Sequence, residues 1–100
     1  MTIDKQRSDA KLTVTLTGRL DTTTAPELES ALENELDGVK ELVFEIRDLD
    51  YISSAGLRVL LSAQKTMNQQ GSMVVRNAQE PIREIFEVTG FTDILTLEND

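Results

Sequence analysis

Apolar and polar residues alternate from Lys11 to Thr17, where leucine and valine are separated by threonines. A period of two predicts a β-strand with one buried and one wetter face, near a sheet edge or in an antiparallel pair. Residues 2–7 have a thinner apolar pattern, and a turn at residues 8–10 would let them pair with this strand. The chain is therefore predicted to begin with a hairpin.

Other apolar runs predict the interior of a sheet. The nearly continuous run from Glu41 to Ile46 is typical of a covered, central strand. Ser72 to Arg76 predicts a short strand, and the helical pattern between these two strands has the right length for a parallel crossover. A last short strand is predicted at Ile94 to Leu97. These segments together indicate a mixed sheet of four to five strands.

Three segments have apolar residues at helical spacing. In the first, Thr24 and Glu27 have the spacing of a capping box, and Gly38 is positioned to end the helix. The third begins at Pro81 and is followed by Gly90. The predicted order is β-β-α-β-α-β-α-β, an α/β fold in which the helices pack on the sheet. No linker or repeat divides the chain, so we expect a single domain over residues 1–100.

The second helix follows a pair of serines, Ser53 and Ser54, and extends to Gln70. One face carries apolar residues and the other is polar, with the polar stripe formed by Arg58, Ser62, Lys65 and Gln69. A serine at a helix start accepts a hydrogen bond from a free backbone N–H, and the same end of the helix attracts anions. We expect Ser54 to cap this helix, and a capping hydroxyl can also carry a phosphate.

The amino-acid composition excludes several kinds of chemistry and favours one kind of location. The 100 residues are 39% hydrophobic, which suits one compact domain. Cysteine and histidine are absent, which excludes disulfides, thiolate chemistry, imidazole bases and most zinc or haem ligation. The sequence has no apolar run of membrane-spanning length and no signal-peptide core, so we expect a cytoplasmic location.

The net charge of −8 argues against nucleic acid and anionic membranes as partners and favours a protein. Acidic residues are concentrated between residues 27 and 50. A solvated helix face accounts for this concentration, and steering toward a basic partner is the alternative.

The sequence does not match the motifs of the enzyme classes that it could suggest. Ser54 lies at a strand-to-helix turn, but its surroundings do not match the G-x-S-x-G elbow, and Lys65 lies about three turns away along the helix. Phosphate-binding glycine motifs are absent. Asp48 and Asp50 are acids near a strand end, which are more often surface residues than Mg²⁺ ligands. We therefore predict no enzyme activity, no metal and no cofactor.

Three motifs resemble a known family. They are D-L-D-Y-I-S-S-A-G-L-R-V-L-L at residues 48–61, G-R-L-D-x-x-T-A-P-x-L at 18–28 and V-T-G-F at 88–91. In order and spacing they resemble the bacterial anti-sigma factor antagonists of the STAS domain family, over essentially the whole chain. The resemblance implies a STAS-like fold.

The resemblance also implies a phosphorylation switch. In this family the unphosphorylated antagonist binds an anti-sigma factor that is also a serine kinase of the histidine-kinase-like ATPase type, and phosphorylation turns it off. The acceptor corresponds to Ser54, two residues before Gly56. Ser53 replaces the usual aspartate, which removes both a charge that would repel phosphate and a contact that would orient the hydroxyl for a kinase. A phosphatase is a further implied partner.

The residues bordering the acceptor form the predicted partner surface: Asp21, Tyr51, Ser53, Ser54, Gly56 and Arg58. Asp21 corresponds to the acid of the family's G-x-L-D block, and a turn residue at a strand end is an equally good interpretation of it. For Ile52 and Leu57 a core position fits better. STAS domains also serve as adaptor subunits in lipid-transport and stress-sensing complexes, so an adaptor that is never phosphorylated is the alternative function.

Overall fold

A five-stranded sheet and three α-helices form the fold in a computed structural model that describes residues 1–99. The elements, in chain order, are β1 (Thr2–Ser8), β2 (Lys11–Leu20), α1 (Ala25–Leu32), β3 (Glu41–Ile52), α2 (Ser54–Gln70), β4 (Ser72–Arg76), α3 (Glu80–Val88), a short 3-10 helix (Phe91–Asp93) and β5 (Leu97–Glu98). This order confirms the one predicted from the hydrophobic pattern. Within the same residues no helix combines the length and apolarity needed to span a membrane.

The strands lie side by side in chain order, with β1 antiparallel to β2 and the other neighbours parallel. Each parallel crossover moves one strand further in the same direction, so right-handed connections place all three helices on the same face of the sheet. The core includes residues of that face and of every helix, among them Leu12, Phe44, Met73, Leu28, Leu60 and Phe86. Val43, on the other face, is buried but lies outside this cluster.

Strand β3 is longer than the predicted 41–46. Register shifts against β2, between Thr15 and Thr17 and again after Gly18, let the pairing continue to Ile52. Leu49 and Ile52 therefore stay in the core although polar residues separate them. The extension carries β3 directly to the start of α2.

Helix α1 is shorter than predicted, because it ends at Leu32 rather than near Gly38. Asn34 adopts a left-handed conformation with φ 64°, which breaks the helix, and the Nζ atom of Lys5 donates to the carbonyl of Ala31 at 3.1 Å. The helix can end early because the side chain of Lys5, on β1, donates a hydrogen bond to one of its last carbonyl groups.

The last strand also differs from the prediction of residues 94–97, since it covers Leu97–Glu98. Gly90, at φ 79°, leads into the 3-10 helix, and the N–H groups of Ile94 and Leu95 still donate to the carbonyl of Phe91 at 3.0 and 2.8 Å, so the strand begins only at Leu97. At the other end of the sheet, Gly71 follows α2 where an added Cβ would collide with the carbonyl oxygen of Lys40. Glycine is needed there for close approach of two backbones.

Candidate functional site

The C-terminal ends of the neighbouring strands β2 and β3 lie side by side and form one edge of the sheet. Leu20 lies opposite Ile52, and the N–H of Ser53 donates to the carbonyl of Leu20 at 2.9 Å. Because α1 and α2 both start from this edge, their N-termini and the loops before them form one rim. Of the predicted partner-binding residues, Asp21 and Ser53 lie in these two strand-to-helix connections, and Ser54 is the first residue of α2.

Ser53, rather than Ser54, caps α2. Its backbone is extended (φ −100°, ψ 176°) and its hydroxyl accepts a hydrogen bond from the N–H of Gly56 at 3.4 Å. Its carbonyl accepts the first helical bond, from Leu57, at 2.9 Å. The prediction that Ser54 is the cap is therefore wrong by one residue, because β3 stays extended through Ile52 and the turn into the helix falls at Ser53.

Ser54 is the first residue of α2, and its side chain is exposed. Within residues 1–99 its hydroxyl makes no hydrogen bond. The first turn of α2 contains no acidic residue, so the positive end of the helix dipole has no carboxylate beside it on this helix. The hydroxyl is accessible, free of a capping role, and placed where a negative charge is favoured.

Gly56 is buried beneath this hydroxyl-bearing turn. An added Cβ would lie 2.7 Å from Cγ of Leu20 and 2.9 Å from Cγ1 of Ile52. Both of those side chains are fully buried. The absence of a side chain at Gly56 lets the first turn of α2 lie directly on the ends of β2 and β3, and this fixes Ser54 at the rim.

Asp21 organises the start of α1. Its Oδ1 atom accepts hydrogen bonds from the hydroxyl of Thr23 at 2.8 Å, the N–H of Thr23 at 3.0 Å and the N–H of Thr24 at 3.1 Å. The Thr23 hydroxyl, followed by the Thr24 N–H, lowers the pKa of Asp21 from its ordinary 3.8 to about 2. The carboxylate is therefore ionised at neutral pH and acts as a turn residue.

This network replaces the predicted capping box. The side chain of Thr24 makes no cap bond to α1. Its hydroxyl instead donates to the carbonyl of Arg19 at 2.7 Å and accepts from the N–H of Asp21 at 2.8 Å. The Thr24–Glu27 prediction was wrong because the Thr24 hydroxyl is engaged by Arg19 and Asp21, and the Asp21 carboxylate already accepts from the Thr24 N–H.

Arg19 and Tyr51 add a layer to the rim. The Cζ atom of Arg19 lies 4.3 Å from the centroid of the Tyr51 ring, a cation–π distance, and its Nε lies 3.8 Å from Oδ2 of Asp21. Tyr51 is 37% exposed. The sequence reasoning missed Arg19. Its position inside the G-R-L-D block was a signal, but its pairing opposite Tyr51 depends on the register of two strands.

Arg58 is exposed on α2, one turn after Ser54. It lines a cavity between α1 and α2 together with Thr22, Glu29 and Ala55. The exposed stripe predicted for α2 is confirmed, and Ile52 and Leu57 lie in the core as expected. Asp21, Tyr51, Ser53, Ser54 and Arg58 thus lie around one rim. The prediction of Gly56 as a surface residue is wrong, because it is buried against Leu20 and Ile52 and supports the rim from below.

The chemistry available at this rim is limited. Among residues 1–99 no cluster of three or more His, Cys, Asp or Glu residues could hold a metal ion. The sequence contains no histidine, and the nearby Asp21 carboxylate is engaged by threonine donors and the Arg19 guanidinium.

Comparison with known proteins gives consistent matches. A family model described as STAS domain matches residues 2–100. BtrV of Bordetella bronchiseptica, a candidate anti-sigma factor antagonist by its name, is 39% identical over 101 residues, covering 99% of this chain and 85% of BtrV. The anti-sigma-B factor antagonist of Listeria monocytogenes is 31% identical over 99 residues, covering 95% of this chain and 85% of that protein.

Solved structures agree on the fold. The anti-sigma factor antagonist SpoIIAA in its unphosphorylated form matches with a TM-score of 0.78 at 14% identity, covering 99% of this chain and 88% of that chain. The phosphorylated form of SpoIIAA, a Bacillus cell fate determinant, gives 0.76 at 14% identity, covering 96% and 90%. Strand order and helix placement are therefore shared with these structures.

Proposed function

The chain belongs to the STAS domain family, and on this premise we propose that it is an anti-sigma factor antagonist that is switched off by phosphorylation of Ser54. The observation that best supports the proposal is the division of labour between two serines. Ser53 caps α2, and the exposed hydroxyl of Ser54 is left without a partner in the described chain. The acceptor can therefore be modified without the loss of the helix cap.

The fold has physical reasons to tolerate this modification. A phosphate on Ser54 adds a charge of about −1.5 to −2 at a helix N-terminus, where the macrodipole and free N–H groups favour an anion. Arg58 follows four residues later on the same side of the helix, at the spacing at which opposite charges attract. We expect the phosphorylated chain to remain folded and its helix end to become slightly more stable.

The partner is the molecule that would respond. A kinase that reaches the bare hydroxyl must contact the rim formed by Asp21, Tyr51, Ser53, Ser54 and Arg58. A dianion placed in that contact has to be desolvated and repels acidic groups, which costs about 2–5 kcal/mol when it has no pairing group. Unphosphorylated chain would bind, and phosphorylated chain would be released, without refolding.

Ser53 is compatible with this role although the family usually has aspartate there. Serine and aspartate are comparably good N-caps, so the start of α2 is retained. The substitution removes one negative charge beside the acceptor, which lowers repulsion toward the phosphate. The partner we infer is an anti-sigma factor with serine kinase activity of the histidine-kinase-like ATPase type, opposed by a phosphatase, in the cytoplasm. In this pathway the chain itself is a binding module.

The test is a phosphorylation assay with the cognate kinase and ATP. Intact mass spectrometry should show one phosphate per chain, located at Ser54, and the S54A variant should show none. S72A is a suitable control, because Ser72 is exposed at the start of β4, away from the rim, and it should be modified like the wild type. Phosphate on S54A would refute the assignment.

Binding separates the switch from the adaptor function. S54D should weaken binding of the anti-sigma partner strongly, because it places a carboxylate at the acceptor. If S54D and wild type bind the partner equally and no kinase modifies the chain, the adaptor function is favoured and the proposed switch is wrong.

A further inference from the structure

A groove between α1 and α2 runs away from the rim. It consists of two adjoining cavities of about 270 and 280 Å³ that share Glu29 and Val59 in their linings. One cavity reaches Ala55, the neighbour of Ser54, and the other extends past the end of α1 to Asp37, in the loop before β3. We call this continuous surface the α1–α2 groove, defined by Ala55, Val59, Ala63, Leu32, Glu29 and Asp37.

Small residues open this groove. Where α2 faces α1 most of its side chains are small, including Ala55, Ser62 and Ala63, and the long side chain of Arg58 lines only the cavity next to the rim. Val59 and Ala63 are 7% and 4% exposed, so they form an apolar floor rather than a filled contact. The space between the two helices can therefore accept an apolar side chain of a few carbons.

Two acidic residues in the walls of the groove have no ion-pair partner in the described chain. Glu29 and Asp37 are exposed, and among residues 1–99 neither carboxylate forms an ion pair. Glu35, also near the end of α1, is already paired with Lys5 at 3.3 Å. The acids that line the groove are therefore the ones left for an outside partner.

We propose that the α1–α2 groove docks a basic segment of the anti-sigma partner, with an apolar side chain on the floor and Lys or Arg side chains against Glu29 and Asp37. The groove is continuous with the rim proposed to contact that partner, so one protein can cover both. A second copy of this chain is a poor occupant, because its net charge of −8 would repel the acidic walls.

This inference rests on the proposed function and adds a second role to the partner contact. The groove extends away from Ser54 to Asp37, so we expect phosphate on Ser54 to act on the rim and not on the Asp37 end of the groove. The groove would supply affinity and orientation, while the rim would supply the response to phosphate. Docking by opposite charges also predicts an association rate that falls as salt is raised.

The test compares the purified unphosphorylated chain and matched charge variants in binding to the anti-sigma factor, at low and high salt. The double variant E29K/D37K should bind at least about tenfold more weakly than wild type, and its association should lose most of its salt dependence. The control E84K/E87K makes the same charge change on exposed positions of α3 and should bind like wild type. Thermal unfolding checks that each variant is folded.

A variant without charge change guards against a general electrostatic effect. T66F places a ring at the mouth of the groove from an exposed position on α2 and should also weaken binding.

Wild-type affinity of both E29K/D37K and T66F would overturn the groove proposal. If S54D still lost binding in that case, the proposed function would stand. Conversely, weak binding by the groove variants with normal binding by S54D would refute the switch alone. A dimer of this chain that E29K/D37K dissociates would overturn the choice of partner.

Discussion

The N-termini of α1 and α2 begin from adjacent strands, with Leu20 opposite Ile52, but they satisfy their free N–H groups differently. At α1 the charged carboxylate of Asp21 accepts from the N–H groups of Thr23 and Thr24, which lie just before the helix, and Glu27 adds a second acid in the first turn. At α2 the neutral hydroxyl of Ser53 accepts one bond, and the first turn contains no acid.

The difference shows where a phosphate fits. A helix end that already holds a carboxylate gains little from another anion, because like charges repel at short range. A helix end capped by a neutral group keeps its attraction for negative charge. Ser54 lies at the second kind of end, so phosphorylation there adds charge at a place the fold leaves uncompensated. The predictions that follow alter one or the other of these two helix ends.

The largest effect is expected from G56A, which pushes the start of α2 away from the strand ends. The new methyl would lie 2.7 Å from Cγ of Leu20, and overpacking of this kind costs about 1–3 kcal/mol. Urea unfolding of the unphosphorylated chain measures the loss. K65A, an exposed change on the same helix, is the control and should be nearly neutral. A G56A protein as stable as wild type would mean that the contact with Leu20 is not tight.

The cap exchange at Ser53 should have the next largest effect. S53A removes the hydroxyl that accepts from Gly56 and should lower the free energy of unfolding by about 1 kcal/mol. S53D makes the end of α2 resemble that of α1, retains the cap, and should add about 0.3–1 kcal/mol through the helix dipole. Chemical denaturation of the three proteins at pH 7 should give a free energy of unfolding that is highest for S53D, intermediate for wild type and lowest for S53A. The reverse order would contradict Ser53 as the cap.

A smaller effect is expected at Arg58 after phosphorylation. Charge pairs four residues apart on a helix contribute about 0.2–0.5 kcal/mol. R58A should therefore reduce the stability of the phosphorylated chain by about that amount relative to the unphosphorylated chain. The comparison needs thermal unfolding of both forms of R58A and of wild type. An equal change in both forms would show that Arg58 does not pair with the phosphate.

The smallest effect is expected at the α1 end and only in acid. Because hydrogen bonds lower the pKa of Asp21 from 3.8 to about 2, its ionised form contributes stability that is fully present above pH 3.8. That contribution is lost as the pH falls toward 2. D21N cannot titrate, so its unfolding midpoint should fall less than that of wild type between pH 4 and pH 2. Parallel curves for the two proteins would contradict the lowered pKa.

Much of the fold could be predicted from residue order. Alternation in β2 and the continuous apolar run of β3 depend on neighbouring residues, and so does the 3.6-residue pattern of α2. Element ends were less predictable. β3 extends to Ile52 because register shifts against β2 keep it paired, and α1 ends at Leu32 because Asn34 turns left-handed where Lys5 supplies a donor. Both causes involve residues from another strand.

The functional site also combines features that the sequence predicts with features that only the tertiary structure decides. The sequence alone indicated a helix start at the two serines, excluded histidine and cysteine chemistry, and placed the acceptor at Ser54 by family resemblance. Only the tertiary structure decided that Ser53 is the cap, that Arg19 covers Tyr51 beside Asp21, and that an acidic groove adjoins the rim. The physical reason is that helical and strand periodicity are local properties of the chain. Which hydroxyl caps, which side chains stack and which cavities open depend on backbone angles and on contacts between elements distant in sequence.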